Sequence, residues 1–199
     1  IDEISNYKNG KLDQIVLANG DKYEGDWFVD KITGKGIMTY SNGNIYNGDF
    51  FEGKRSGNGT MTYLSGATYN GAWDNDMRNG QGRYAQNRIS LSGNWINNNL
   101  DGLVIEFKNG QKSEVKYVNG KREHTVNGIV RNNQNNDIII GAQIQVIGTR
   151  QIQLTDNNGK YTIKVLHGQT LSISHPGYQK VIKQITGSIT FKANLDKKL

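Results

Sequence analysis

The feature that most limits what this chain can fold into is a repeat. Tyr23-Glu24-Gly25-Asp26-Trp27, Tyr46-Asn47-Gly48-Asp49-Phe50 and Tyr69-Asn70-Gly71-Ala72-Trp73 recur at a period of 23 residues, and Leu91-Ser92-Gly93-Asn94-Trp95 follows after 22. Each unit continues with a second pair of glycines, Gly34/Gly36, Gly57/Gly59 and Gly80/Gly82, and the fourth copy reads Leu100-Asp101-Gly102. A short run then ends in Asn42-Gly43, Ser65-Gly66 or Asn109-Gly110. Weaker half-units flank these, Tyr7 to Lys11 with Asn19-Gly20 before them and Tyr117 to Arg122 after, so the array runs from about residue 3 to about residue 123. A unit this small cannot enclose a core by itself, so its stability has to come from its neighbours.

Inside a unit the period is two, which means strand. Tyr23, Gly25 and Trp27 fall on one face and Glu24, Asp26 and Phe28 on the other, while Gly36, Met38 and Tyr40 share a face of the returning strand. Each unit therefore reads as a β-hairpin. The Asn-Gly and Ser-Gly pairs supply the positive φ of tight turns, and a glycine at a strand centre leaves room for a neighbouring ring. At about 4.8 Å per strand, a two-stranded unit advances roughly 10 Å, and five units make a rod of about 50 Å.

The pattern Tyr-x-Gly-x-Trp/Phe, a short loop, Gly-x-Gly, a strand and Asn-Gly resembles the MORN repeat (membrane occupation and recognition nexus). The fourth unit departs from it at Leu91 and Leu100 and by one residue in spacing. The resemblance implies an elongated, curved sheet of hairpins. It also implies a role in protein–protein scaffolding, self-association or contact with phospholipid surfaces, and no catalysis.

Beyond residue 124 the repeat ends: 18 of the 25 glycines precede this point and seven follow it. Seven short strands are predicted there, at residues 125–130, 142–147, 151–154, 160–165, 170–174, 179–183 and 189–193. Short alternating strands with turns between them indicate a β-sandwich. The predicted fold class is thus all-β, a β-hairpin repeat sheet over 1–123 followed by a C-terminal seven-stranded sandwich over 124–199. Gly128-Ile129-Val130, Gly141-Ala142, Val146 to Thr149, Thr155 to Tyr161, Pro176-Gly177-Tyr178 and Phe191 to Leu195 make this segment similar to the carboxypeptidase regulatory-like domain. That resemblance implies a transthyretin-like sandwich without peptidase residues. The module is found in TonB-dependent receptors and in surface and secreted proteins of Bacteroidetes, so it implies a place outside the cytoplasm, in the periplasm or at the cell surface.

Composition narrows the chemistry. With no Cys there is no disulfide, thiolate nucleophile or Cys-based metal site. No apolar run approaches the 18 or so residues of a membrane-spanning helix, and the chain reads as soluble. It starts at Ile1 rather than Met, as after removal of a leader or trimming of a longer chain. Residues 1–124 hold 15 Lys and Arg against 15 Asp and Glu, whereas 125–199 hold nine basic residues against three acids, so the net charge of +6 sits on the second domain. Lys160, Lys164, Lys180 and Lys183 are placed to form one basic stripe, a solvated face or a seat for an anionic partner such as lipopolysaccharide or an acidic protein. Nucleic acid is not expected, because neither a base-stacking platform nor a groove-reading helix is evident.

No catalytic or metal constellation is evident either. His124, His167 and His175 fall at the domain boundary and in two predicted turns, without metal spacing. Asp156-Asn157-Asn158-Gly159 begins like a calcium loop but lacks the downstream bidentate acid, and an Asx turn accounts for it. Glu52, Asp74 and Asp76 read as a solvated edge. Neither a cofactor nor a metal is expected. Tyr23, Trp27, Tyr46, Phe50, Tyr69, Trp73 and Trp95 are the predicted packed face. Phe28 and Phe51 occupy equivalent positions on the opposite face, one unit apart, where exposed rings would mark a partner site. The resulting expectation is a non-enzymatic adaptor of the bacterial cell envelope that works through protein–protein contacts and self-association. The alternative is a module that binds anionic lipid or glycan.

Overall fold

The computed structural model describes residues 4–8, 11–28, 31–187 and 189–198. The chain divides into two compact units, Ile1–Gly120 and Lys121–Leu199. Among the described residues no helix is long and apolar enough to cross a membrane.

The first unit is an antiparallel meander of β1 (Ile4–Lys8), β2 (Lys11–Val16), β3 (Lys22–Phe28), β4 (Lys31–Thr39), β5 (Ile45–Phe51), β6 (Lys54–Thr62), β7 (Thr68–Asp74), β8 (Met77–Gln86), β9 (Ile89–Ile96), β10 (Asn99–Lys108) and β11 (Gln111–Val118). Each strand pairs with the next in the chain. From β4 to β8 two kinds of turn alternate. At Tyr40 to Asn44 the N–H of Gly43 donates to the Tyr40 carbonyl and Gly43 takes φ +84°, the only positive φ in that turn, so the Asn-Gly pair works through its glycine alone. At Asn75-Asp76 and Asn97-Asn98 both residues have positive φ without any glycine, which Asn and Asp tolerate best among side chains.

The core of this unit is one face of the sheet. Tyr23, Tyr46 and Tyr69 are almost wholly buried, with Phe50, Trp73 and Trp95 beside them and Trp27 partly buried. Their rings interlock edge to face in one zigzag, Tyr23 to Phe50 to Tyr46 to Trp73 to Tyr69 to Trp95, at centroid distances of 5.1 to 5.4 Å. This is the spacing at which aromatic pairs gain beyond burial alone. Each tyrosine hydroxyl donates to the carbonyl three residues on: Asp26, Asp49 or Ala72. The rings reach that position only because they lie flat on glycine. A Cβ on Gly59 would stand 2.2 Å from the Tyr46 hydroxyl, and one on Gly82 the same distance from that of Tyr69.

The second unit contains β12 (Lys121–Asn132), β13 (Gln143–Val146), β14 (Ile152–Leu154), β15 (Lys160–Leu166), β16 (Thr170–Ser174), β17 (Val181–Gln184) and β18 (Ile189–Leu195). They form two sheets, β15-β12-β18 and β14-β13-β16-β17. The first sheet contains a parallel pair, β12 with β18, joining the beginning and the end of the unit. Between the sheets lies an aliphatic core that includes Val126, Val130, Ile144, Val146, Ile163, Leu171, Ile173, Ile185 and Leu195. The all-β class and the seven-stranded sandwich are as expected.

Candidate functional site

Phe28 and Phe51 close β3 and β5, and each pairs across its hairpin with a lysine, Lys31 and Lys54. Both rings point away from the aromatic core. They are 72% and 64% exposed and line one open depression of about 380 Å³ with Lys31, Thr33 and Glu52. The Lys31 ammonium reaches the Glu52 carboxylate at 3.2 Å, and both side chains are largely exposed. Such an exposed pair contributes at most about 1 kcal/mol, so the depression is apolar walls beside a pair of charges open to exchange partners.

The backbone that aims these rings is held by acids. Between the pairs Gly25–Gly36 and Trp27–Ile32, β4 has two residues more than β3, and the bulge passes through Gly34 at φ +63°. The Asp26 carboxylate accepts the Lys35 N–H across it at 2.8 Å. One unit later the Asp49 carboxylate accepts the Asn58 N–H at 2.9 Å and the Lys35 ammonium at 2.7 Å. Those two donors hold the Asp49 carboxyl below the usual carboxylate range. Asp76, expected at a solvated edge, is also structural: its carboxylate accepts both the backbone N–H and the Nε of Arg55. The Arg55 guanidinium lies over the Trp73 ring at 4.5 Å, and that of Arg78 over Trp95 at 4.2 Å. None of this was legible as more than hairpin polarity.

In the second unit the four lysines do not share one sheet face. Lys160 and Lys164 lie on β15, in the three-stranded sheet. Lys183 lies on β17, with Lys180 just before it, in the four-stranded sheet. The partner missing from the expected stripe is Lys192. It pairs with Ile129 on one side while Lys160 pairs with it on the other, giving a row Lys160, Ile129, Lys192 across the sheet. Arg131 and Lys164 point outward from the same sheet, and Lys164 reaches Glu123 at 3.1 Å. The parallel register of β18 places these charges together, and no local sequence pattern announces it.

His124 lies near the boundary between the units, as expected, and is buried within β12. Its ring is 5.7 Å from that of His167, and its Nε2 has no hydrogen-bond partner. Burial, then Arg122 and His167, push its pKa down. His175 sits apart, against Tyr178. Asp156 forms an Asx turn, accepting the N–H groups of Asn158 and Lys160 at 2.8 Å. Among the described residues no three His, Cys, Asp or Glu side chains gather as a metal site.

The hairpin ladder and the sandwich each match a family model. The MORN repeat model matches residues 23–45, 46–68 and 69–85, and the CarboxypepD_reg-like domain model matches 126–199. The chain carries MORN repeats followed by a CarboxypepD_reg-like domain. Both are non-catalytic families. The MORN match stops at residue 85, so β9, β10 and β11 continue the sheet beyond the matched repeats. No curated protein matches the chain. Among solved structures it is similar to the SAS-4 (dCPAP) TCP domain, in complex with a proline-rich motif of Ana2 (dSTIL) of Drosophila melanogaster, at 20% identity and a TM-score of 0.30 over 85% of this chain and 87% of that one. It is also similar to a streptococcal ancillary pilin, at 12% identity and 0.30 over 77% of this chain and 50% of that one. The Bacillus anthracis TIE protein matches at 10% and 0.32, over 83% and 44%. These likenesses are too weak to bear on fold or function.

Proposed function

We propose that this chain is a non-enzymatic adaptor of the bacterial cell envelope, working outside the cytoplasm in an organism of the Bacteroidetes kind through protein–protein contacts. The observation that carries the reading is the pair Phe28 and Phe51. The other aromatic residues of the repeat pattern turn inward onto the ladder, while these two line one outward depression. Large exposed rings at repeat-equivalent positions lose water on binding and leave fold stability untouched, which is how an interaction surface differs from a core. CarboxypepD_reg-like domains occur in extracytoplasmic surface proteins, which supports the setting. The test is a pull-down from envelope extract with the full chain. Phe28→Ala with Phe51→Ala should abolish recovery of the partner and leave thermal unfolding unchanged. Loss of cooperative unfolding would mean that the rings are core and would sink the reading.

A second reading rests on the row Lys160, Ile129, Lys192 with Arg131. In it the basic sheet face of the second unit binds an anionic lipid or glycan surface by charge. Retention on vesicles containing anionic lipid or on a glycan array, lost in Lys192→Glu with Arg131→Glu, would favour it over the adaptor.

A further inference from the structure

Where the matched repeats end, the outer face of the array changes character. Two cross-strand rows run side by side there: Arg83, Ser92, Ile105, Glu114 and, two residues along each strand, Ala85, Ser90, Phe107, Lys112. The central strand β9 offers only serines in these rows, so the surface sinks between β8 and β10. Two depressions mark the trough, one of about 460 Å³ beside Leu103 and Ile105 and one of about 330 Å³ beside Arg88 and Phe107, and Arg83 lines both.

The walls differ in chemistry. On the β10 side stand Leu103, 72% exposed, then Ile105 and Phe107. On the β8 side stands Arg83, exposed and, among the described residues, without an ion-pair partner. Arg55 and Arg78 are clamped on turn residues and indole rings, whereas among the described residues the Arg83 guanidinium has no such contact. The outward positions of β8, β9 and β10 in these rows hold no acid; the acid of the first row, Glu114, lines the larger depression from β11, beyond Ile105 and on the far side from Arg83.

We infer that this trough over β9 is a docking site for an extended peptide of a partner protein, with apolar side chains at alternate positions and a carboxylate between them. The dimensions select the form. Walls two strands apart stand about 10 Å from each other, which admits one extended chain but not a helix, whose side chains span about 10–12 Å. The side chains at Leu103, Ile105 and Phe107 recur every second residue, about 7 Å apart, the spacing of alternate side chains in an extended ligand. The charge selects the rest: Arg83 faces that row without a partner of its own and forks well onto a carboxylate.

Panning a phage-displayed library of random nine-residue peptides against the full chain tests this. Enriched sequences should alternate apolar residues with Asp or Glu. Their synthetic counterparts should bind at least about tenfold more weakly to Arg83→Glu and to Leu103→Ser, both at exposed positions, with each variant's tryptophan fluorescence unchanged. Phe28→Ala with Phe51→Ala should bind them as the parent does, which separates this site from the first. Enrichment of sequences without acids, equal binding by Arg83→Glu, or no enrichment over an Arg83→Glu, Leu103→Ser double variant would overturn the proposal.

Discussion

The two units solve the same problem, burying apolar surface with strands alone, by different means. The sandwich encloses aliphatic side chains between two sheets. Its one large buried phenol, Tyr161, has no hydrogen-bond partner, and burial pushes its pKa up to about 12. The hairpin array has only one sheet, so it makes its core from rings that lie along it. There Tyr23 and Tyr69 also reach about 12 through burial, but their hydroxyls are satisfied by carbonyls three residues ahead. The sandwich carries its orphaned hydroxyl at a cost, because apolar surroundings penalise an unpaired polar atom, and offsets it with the aliphatic burial around it. A core on one sheet depends on each ring having its glycine and its carbonyl.

That contrast can be broken experimentally. The largest effect is expected from Tyr46→Ala, which removes a fully buried ring with edge-to-face contacts to both Phe50 and Trp73. Loss of such a ring costs about 3–5 kcal/mol. The shift is readable by tryptophan fluorescence in denaturant, because Trp27, Trp73 and Trp95 all belong to the first unit. Ile144→Ala in the sandwich, at about 2–5 kcal/mol, is the matched control and should be followed by circular dichroism. Next comes Gly59→Ala. A single methyl forced against the Tyr46 ring should destabilise by about 1–3 kcal/mol, whereas a methyl added to an ordinary strand glycine stabilises.

Smaller and more discriminating is the removal of a hydroxyl. Tyr46→Phe should cost about 1 kcal/mol because it breaks the bond to the Asp49 carbonyl. Tyr161→Phe should be neutral or stabilising, since its oxygen satisfies nothing. Equal costs at the two sites would mean that the two cores treat a buried hydroxyl alike. The mildest effect is in pH. His124 has its pKa held below the ordinary 6.5 by burial, by Arg122 and by His167. The unfolded chain therefore takes up a proton first as pH falls, and stability declines from about pH 6.5 downward by no more than about 1.4 kcal/mol per unit. His124→Leu should flatten that slope in a pH series of denaturation midpoints.

How much of this was legible in the sequence follows the same divide. The array could be read nearly residue by residue, because every ring and glycine recurs at a fixed interval and the contacts are between neighbours in the chain. Phe28 and Phe51 were visible as outward residues for that reason. The acids at the bulges were not, since Asp26 and Asp49 look like ordinary polar alternation until β4 and β6 are seen to hold extra residues. The trough over β9 was hidden by the same regularity: the fourth unit reads as a departure from a pattern, and only the register shows Ser92 between Arg83 and Ile105 and Ser90 between Ala85 and Phe107. In the sandwich the strands themselves were readable from alternation. The grouping of their charges was not, because Lys192 meets Ile129 through a parallel pairing over some sixty residues of intervening chain.

The zigzag of rings also has a direction and an end. Phe50 and Trp73 each contact the tyrosine of their own unit and that of the unit before, and Trp95 reaches back to Tyr69 but finds Leu91 where its own tyrosine would stand. A chain assembled in this way keeps count of itself. Duplicating a middle unit would insert two more links without disturbing any other, while the leucine writes a terminus into the series. Past that terminus the strands no longer owe their residues to the ladder of rings, and the core there passes to Leu100, Val104 and Val115.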